Sequence, residues 1–120
     1  MEQVVDQAAS SSQGGKRLRA LLALDAFDIL AGDVTPDRRD AMIDLACAIE
    51  VFQTAALVHD DIIDESDLRR GRPSAHRALE QAVHSGAIGR GLGLMLGDIL
   101  ATACIEITRR SASRLPNTDA

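Results

Sequence analysis

The chain has no tryptophan and no tyrosine, and its two phenylalanines hold aromatic residues to 2%. Strands draw on aromatic and β-branched residues, so this shortage turns the expectation towards helices, which alanine, leucine and arginine favour. A basic excess is missing too. The 13 Lys and Arg stand against 18 Asp and Glu, a formal net charge of −5, which argues against a general nucleic-acid binder that must neutralise backbone phosphates. Cys47 and Cys104 lie far apart with no CxxC pairing, so they read as small buried hydrophobes and not as zinc ligands. No basic segment followed by an apolar one appears between Met1 and Ser12, hence the expectation of a cytoplasmic protein. The most apolar stretch, Gly86 to Ile107, is interrupted by Arg90, Asp98 and Glu106. Each charge is costly at a bilayer centre, so the stretch reads as a buried core helix and no transmembrane segment is expected.

What is present is 46% hydrophobic over 120 residues, enough for one small all-α domain spanning 1–120 whose core leaves much surface uncovered. Residues 1–13 read as a flexible leading segment, since Ser10, Ser11, Ser12, Gln13, Gly14 and Gly15 are polar or small. Leu18, Leu21, Leu22, Ala26 and Ile29 recur at helical spacing up to Gly32. Asp33 to Pro36 reads as a turn, with Thr35 capping a helix whose first position is Pro36 and whose opening turn carries Asp37. That helix is expected to be long, since no Gly or Pro follows until Gly71 and Pro73. Ser74 is expected to cap a short helix to about Val83, and Ser85 to Gly91 to loosen the chain before a last helix from about Leu92 to Arg109. Pro116 to Ala120 reads as a frayed end. Gly86, Gly89, Gly91, Gly93 and Gly97 crowd one neighbourhood, where each costs helix stability about 1 kcal/mol against alanine. Close helix packing and a hinge both account for them.

Charge is clustered: Lys16, Arg17 and Arg19, then Asp60, Asp61, Asp64, Glu65 and Asp67, then Arg69, Arg70 and Arg72. On a helix Asp60 and Asp64 are i,i+4, roughly 6 Å apart along the axis and on one face. Like charges so placed call for a cation. Magnesium suits them, being commonly held by one or two carboxylates together with phosphate oxygens. Gln53, seven positions before Asp60, falls on nearly the same face, about 10 Å away. Arg69 and Arg70 have the planar fork that grips phosphate, and Lys16 with Arg19 forms a cationic pair near a helix start, where free amides favour anions. The bland alternative is a solvated acidic helix end paired with nearby arginines.

In order along the chain, Gly14-Gly15-Lys16-Arg17-Leu18-Arg19, Ala56-Leu57-Val58-His59-Asp60-Asp61-Ile62-Ile63-Asp64, Leu68-Arg69-Arg70-Gly71-Arg72-Pro73 and Gly97-Asp98-Ile99-Leu100 resemble the trans-type polyprenyl diphosphate synthase family. The likeness runs from about Gly14 to Leu100. It implies the amino-terminal half of an antiparallel helical bundle of the isoprenoid synthase type. It also implies a prenyltransferase that condenses an allylic diphosphate with isopentenyl diphosphate, and since family members are commonly more than twice this length, apolar helix faces are expected to lack partners, giving a homodimer, a complementing fragment or instability. By the same resemblance Asp60 and Asp64 would hold magnesium on the allylic diphosphate, Asp61 would support that charge, and Arg69 would clamp the same group. Lys16, Arg19, Arg70 and Gln53 would bind isopentenyl diphosphate. His59 is expected to be packed or orienting. Ala55 and Ala56 lie where the family limits product length by bulk, which implies a product of geranylgeranyl length or longer. Two departures stand out: Ala20 replaces the family's usual proline, and the second aspartate-rich motif has no counterpart before Ala120. The 120 residues alone are therefore expected to be inactive.

Rival readings keep the fold but deny turnover, making the chain a half that only binds magnesium diphosphate, or take His59-Asp60 as the start of an HD-type metal phosphohydrolase site. The latter needs further histidines, and only His76 and His84 are available. A non-enzymatic helical interaction module explains the leucines but not the ordered charge blocks.

Overall fold

Thr35 and Pro36 begin the longest expected helix as anticipated: Thr35 Oγ1 accepts from the Arg38 amide at 3.4 Å, and Pro36 occupies the first helical position, where its missing N–H costs nothing. A computed structural model describes residues 1–32 and 34–115, so the expected turn at Asp33 and the end segment 116–120 lie outside the described residues. The described residues form α1 (Glu2–Ser11), α2 (Leu18–Ala31), α3 (Pro36–Ile63), a two-stranded hairpin of β1 (Leu68–Arg69) and β2 (Arg72–Pro73), α4 (Ala75–Val83) and α5 (Gly86–Ser113). The all-α class holds, and α2 stops at Gly32, as expected, with a positive φ of 66 that glycine adopts freely.

Four elements differ from the sequence reading. Residues Glu2–Ser11 are helical, with Val4 buried against the core, where a flexible leading segment is expected. The long helix ends at Ile63, well before Gly71. The Ser66 amide bonds the Asp61 carbonyl at 2.8 Å and the Glu65 amide bonds that of Ile62 at 3.3 Å, with Glu65 at φ 54. This is a Schellman stop built with glutamate in place of glycine, at a cost of about 1–2 kcal/mol. Ser74 occupies the cap position of α4, but its hydroxyl does not cap the helix. Finally, α5 begins at Gly86 and runs unbroken, with Ser85 Oγ accepting from the Ile88 amide at 3.3 Å.

Three of the five α5 glycines, Gly89, Gly93 and Gly97, are there for packing, while Gly86 and Gly91 face open space. A Cβ on Gly89 would strike the Glu80 backbone, one on Gly93 would meet His76 and Ile62, and one on Gly97 would enter the His59 ring. Positions 89, 93 and 97 are i,i+4,i+8 and line one face, which lets α5 lie close along α3 and α4. Alanines at 41, 46, 48 and 55 keep the α3 face equally thin. The core joins Val4, Ala55, Val58, Ala75, Leu79, Leu96 and Leu100.

Much apolar surface stays outside that core. Helix α2 buries no residue, leaving Leu18, Leu21, Leu22, Ile29 and Leu30 exposed, and α5 exposes Leu94, Met95, Ile99 and Ile105. Helix α5 is thus half-covered, where a fully buried helix is expected. Helices α3 and α5 are each long and apolar enough to cross a bilayer, but core helices satisfy the same criterion, and α3 packs along α5.

Candidate functional site

The last turn of α3 carries the acidic cluster, and it divides the carboxylates. The Asp64 amide still bonds the Asp60 carbonyl at 2.9 Å, so these two side chains share a face, and both are exposed. Asp61 turns inward and is 2% exposed. Arg69 meets it with two parallel bonds, Nε to Oδ2 at 3.1 Å and Nη2 to Oδ1 at 2.5 Å, while Nη2 stands 3.9 Å from Asp60 Oδ2. The fork of arginine matches a carboxylate in this way, with more geometric control than a lysine gives. The hydrogen bond to Asp61 is the main cause raising the Arg69 pKa, partly offset by burial and reinforced by the negative fields of Asp61, Asp60 and Asp64.

Arg69 reaches α3 because of the hairpin. Leu68 pairs with Pro73 and Arg69 with Arg72, leaving Arg70 and Gly71 as a two-residue loop with φ of 54 and 77. Positive φ at both loop positions defines the tight turn whose twist suits a hairpin, and Gly71 adopts it freely. Arg70 is held there at some backbone cost. Its Nη1 donates to the Gln13 carbonyl at 3.2 Å, across 57 residues, and its guanidinium lies over Gly15, close to where a Cβ would sit. The second basic block therefore meets the Gln13–Gly15 segment that leads into the first.

Between them lies a cavity of about 430 Å³, whose lining includes Gln7, Ser10, Gly14, Gly15, Thr54, Asp61, Arg69 and Arg70. Lys16 and Arg19 are exposed on the loop and first turn that follow Gly15, and Gln53 is half-buried on α3; none of these three, nor Asp60 or Asp64, lines the cavity. Of the expected site residues, the structure thus gathers Asp61, Arg69 and Arg70 in one cavity, with Asp60 against its edge.

Sequence reasoning missed several contributors. Gln7, Ser10 and Ser11 line the cavity from α1; their i,i+3,i+4 spacing is the signal that marks one polar helix face. Glu50 accepts from the Ala20 amide at 3.0 Å and stands 3.7 Å from Arg17, fastening the basic loop to α3. The proline usual in the family has no N–H for this bond, so the departure at Ala20 has a structural consequence in addition to its effect on the turn. Ser74 and His76, both buried, brace the hairpin base.

The histidines do not converge. His59 Nε2 lies 3.1 Å from the Leu94 carbonyl and 3.5 Å from Asp98 Oδ1, packed against α5 as expected, while His76 is buried on α4 and His84 is exposed at its end. Among the described residues no three His, Cys, Asp or Glu side chains are grouped to hold a metal. Asp60 and Asp64 fit the alternative, a hard cation taking two carboxylates and completing its shell with water and phosphate.

The polyprenyl synthetase family model matches residues 2–118. Over 112 residues the chain is 35% identical to farnesyl diphosphate synthase of Geobacillus stearothermophilus, covering 91% of this chain and 33% of that one. It is 34% identical over 95 residues to the chloroplastic geranylgeranyl pyrophosphate synthase 11 of Arabidopsis thaliana, covering 78% and 23%. Among solved structures it is similar to geranylgeranyl pyrophosphate synthase from Corynebacterium glutamicum, complexed with isoprenyl diphosphate and magnesium. The TM-score is 0.77 at 30% identity, over 90% of this chain and 33% of that one. The chain spans about a quarter to a third of the length of these relatives.

Proposed function

Because the chain belongs to the polyprenyl synthetase family, we propose that it forms the amino-terminal, diphosphate-binding part of a prenyltransferase that joins an allylic diphosphate to isopentenyl diphosphate. The observation that carries the reading is the meeting of Arg70 with the Gly14-Gly15 turn beside the Asp61–Arg69 pair. Arginines of one sequence block and the Gly14-Gly15 turn of a distant one line a single cavity, with Asp60 and Asp64 exposed on the adjoining helix end, an arrangement suited to a magnesium diphosphate.

In this reading Asp60 and Asp64 hold magnesium, which when bound would supply positive charge to the diphosphate leaving group. Arg69, with Nε and Nη2 fixed by Asp61, keeps Nη1 for the allylic diphosphate and stabilises the charge that develops as the carbon–oxygen bond breaks. Asp61 acts as the orienting anion for Arg69, a narrower role than direct support of the metal's charge. Lys16, Arg19, Arg70 and Gln53 bind isopentenyl diphosphate, and the apolar helix faces exclude water from the allylic cation while the double bond attacks it and the condensed cation then loses a proton to restore the double bond. Ala55, buried, and Ala56, exposed, add no bulk one turn below Asp60, in keeping with a geranylgeranyl or longer product. A homodimer and a cytoplasmic location belong to the same proposal.

A second reading is favoured by the chain's span of a quarter to a third of its relatives: the 120 residues bind magnesium diphosphate without turning it over, since only the first aspartate-rich motif lies within them. Incubation with labelled isopentenyl and allylic diphosphates, with and without magnesium, separates the two. Magnesium-dependent elongation supports the transferase, and binding without product supports the second reading. Neither binding nor product would defeat both.

A further inference from the structure

The hairpin that presents Arg69 and Arg70 has only two residues in each strand, too little to hold its own shape in water. Something outside it must fix the tip. Arg69 is tied to α3 by Asp61, but the base of the excursion, where the chain leaves after Ser66 and returns at Ser74, is closed by one residue. The Ser74 amide donates to the Asp67 carbonyl at 2.9 Å, and Ser74 Oγ lies 2.7 Å from the Ser66 carbonyl.

A serine hydroxyl has a single proton. Ser74 gives it to the Ser66 carbonyl, so the contact of Oγ with His76 Nδ1 at 3.3 Å has one consistent polarity: the ring donates through Nδ1–H and Oγ accepts. Ser74 is 0% exposed and His76 1%, so neither bond has water as a substitute, and a lost partner leaves a buried polar atom unpaired. Gly93 lets α5 close over the His76 Cα and Cβ, which helps to enclose the residue. Neither residue lines the cavity. They sit behind the arginines, connected to them through the backbone of the hairpin.

We propose that Ser74 and His76 are positioning residues: the imidazole orients the Ser74 hydroxyl, the hydroxyl and amide close the 66–74 excursion, and the closed loop sets Arg69 and Arg70 for a diphosphate. The inference rests on the diphosphate reading above and adds residues that the aspartate and arginine motifs do not include.

The test uses the full chain, inorganic pyrophosphate with magnesium as probe, and two readouts: affinity by titration calorimetry, and hydrogen exchange of the Arg69 Nε–H by NMR, which needs no ligand. His76→Asn keeps a donor near the position of Nδ1, and His76→Leu fills the space without one. We expect His76→Leu and Ser74→Ala to weaken pyrophosphate binding about five- to twentyfold and to speed Arg69 Nε–H exchange at least about tenfold, a loss on the scale of one buried hydrogen bond. Helical circular dichroism should be unchanged, and His76→Asn should stay within about twofold of the parent on both readouts. Equal losses in His76→Asn and His76→Leu, or parental binding and exchange in His76→Leu, would overturn the proposal. If Ser74→Ala fails to fold, the His76 pair still decides. If the parent chain takes no pyrophosphate, the functional reading fails by itself, and the exchange rates alone judge the positioning role.

Discussion

Arg69 grips Asp61 through two nitrogens, and in doing so occupies both oxygens of the middle carboxylate of the acidic cluster. The pair is one-sided in burial: the Asp61 side chain is almost wholly enclosed and Arg69 is about a third exposed. Removing the arginine strands a buried anion, whereas neutralising the aspartate leaves a cation that water reaches. We therefore expect Arg69→Ala to destabilise the fold by about 2–3 kcal/mol, below the full range for breaking a buried pair because of that exposure, and Asp61→Asn by about 1–2 kcal/mol. Urea unfolding measures both, and a smaller loss in Arg69→Ala than in Asp61→Asn would contradict the assignment of roles.

The glycines of α5 make opposed predictions within one helix. Gly91 faces open space, so Gly91→Ala should raise stability by about 0.5–1 kcal/mol by removing a helix-breaking residue. Gly89 and Gly97 face the Glu80 backbone and the His59 ring. Gly89→Ala should lose about 1–3 kcal/mol, since backbone cannot step aside, and Gly97→Ala should lose less, because a half-exposed ring can turn. Thermal unfolding of the three variants decides this, and a stabilised Gly89→Ala would refute the close-packing account.

That contrast shows where the sequence is readable and where it is not. Thr35 with Pro36, and Gly32 at a helix end, announce themselves locally, and α2 and α3 begin or end where those residues require. The α5 glycines are ambiguous locally, because their cost is visible in the sequence while their compensation lies on Glu80, His76 and His59. The hairpin escapes pattern reading, as two-residue strands have no period and Arg70-Gly71 is not the usual Asn-Gly or Asp-Gly turn signal. Helix α1 escapes it too, burying only Val4 fully. As for the site, i,i+4 spacing correctly pairs Asp60 with Asp64, but spacing cannot reveal that Asp61 is claimed by an arginine eight residues on.

His76 gives the fold a pH dependence with a definite sign. Burial is the main cause that lowers its pKa below 6.5, with Arg77 and Arg90 acting in the same direction and Glu80 and Asp61 against it. Below pH 6.5 the unfolded chain therefore binds more protons at this residue than the folded one, so stability falls as pH drops and is unaffected by His76 above it. Urea midpoints should decline between about pH 7 and pH 5, and His76→Asn, which cannot take up a proton, should flatten part of that decline. An unchanged slope in His76→Asn would show that other groups carry the dependence.

The glutamate that fastens the basic loop yields a test of its own. Glu50→Ala removes the acceptor of the Ala20 amide and the partner of Arg17, and should cost about 1 kcal/mol, the usual worth of a helix-start hydrogen bond. Ala20→Pro deletes the same bond from the other side, so after either change the second should add little, a coupling that a double-mutant cycle reads directly. Full additivity would mean that Glu50 and Ala20 act separately.

Asp60 and Asp64 close the last turn of α3, at the partial negative end of the helix dipole. Placing two more negative charges there, i,i+4 to each other, works against the fold by about 0.5–1 kcal/mol in all. Such an arrangement persists where a cation relieves it, which gives the metal reading an opposed pair of outcomes. Without magnesium, Asp60→Asn combined with Asp64→Asn should unfold at a higher temperature than the parent. With magnesium and pyrophosphate at about ten times the dissociation constant, the parent should gain about 1.4 kcal/mol, and the double variant should gain almost nothing. If the two substitutions lower stability in the absence of metal, or if the double variant keeps the ligand-dependent gain, these carboxylates are not where the cation binds.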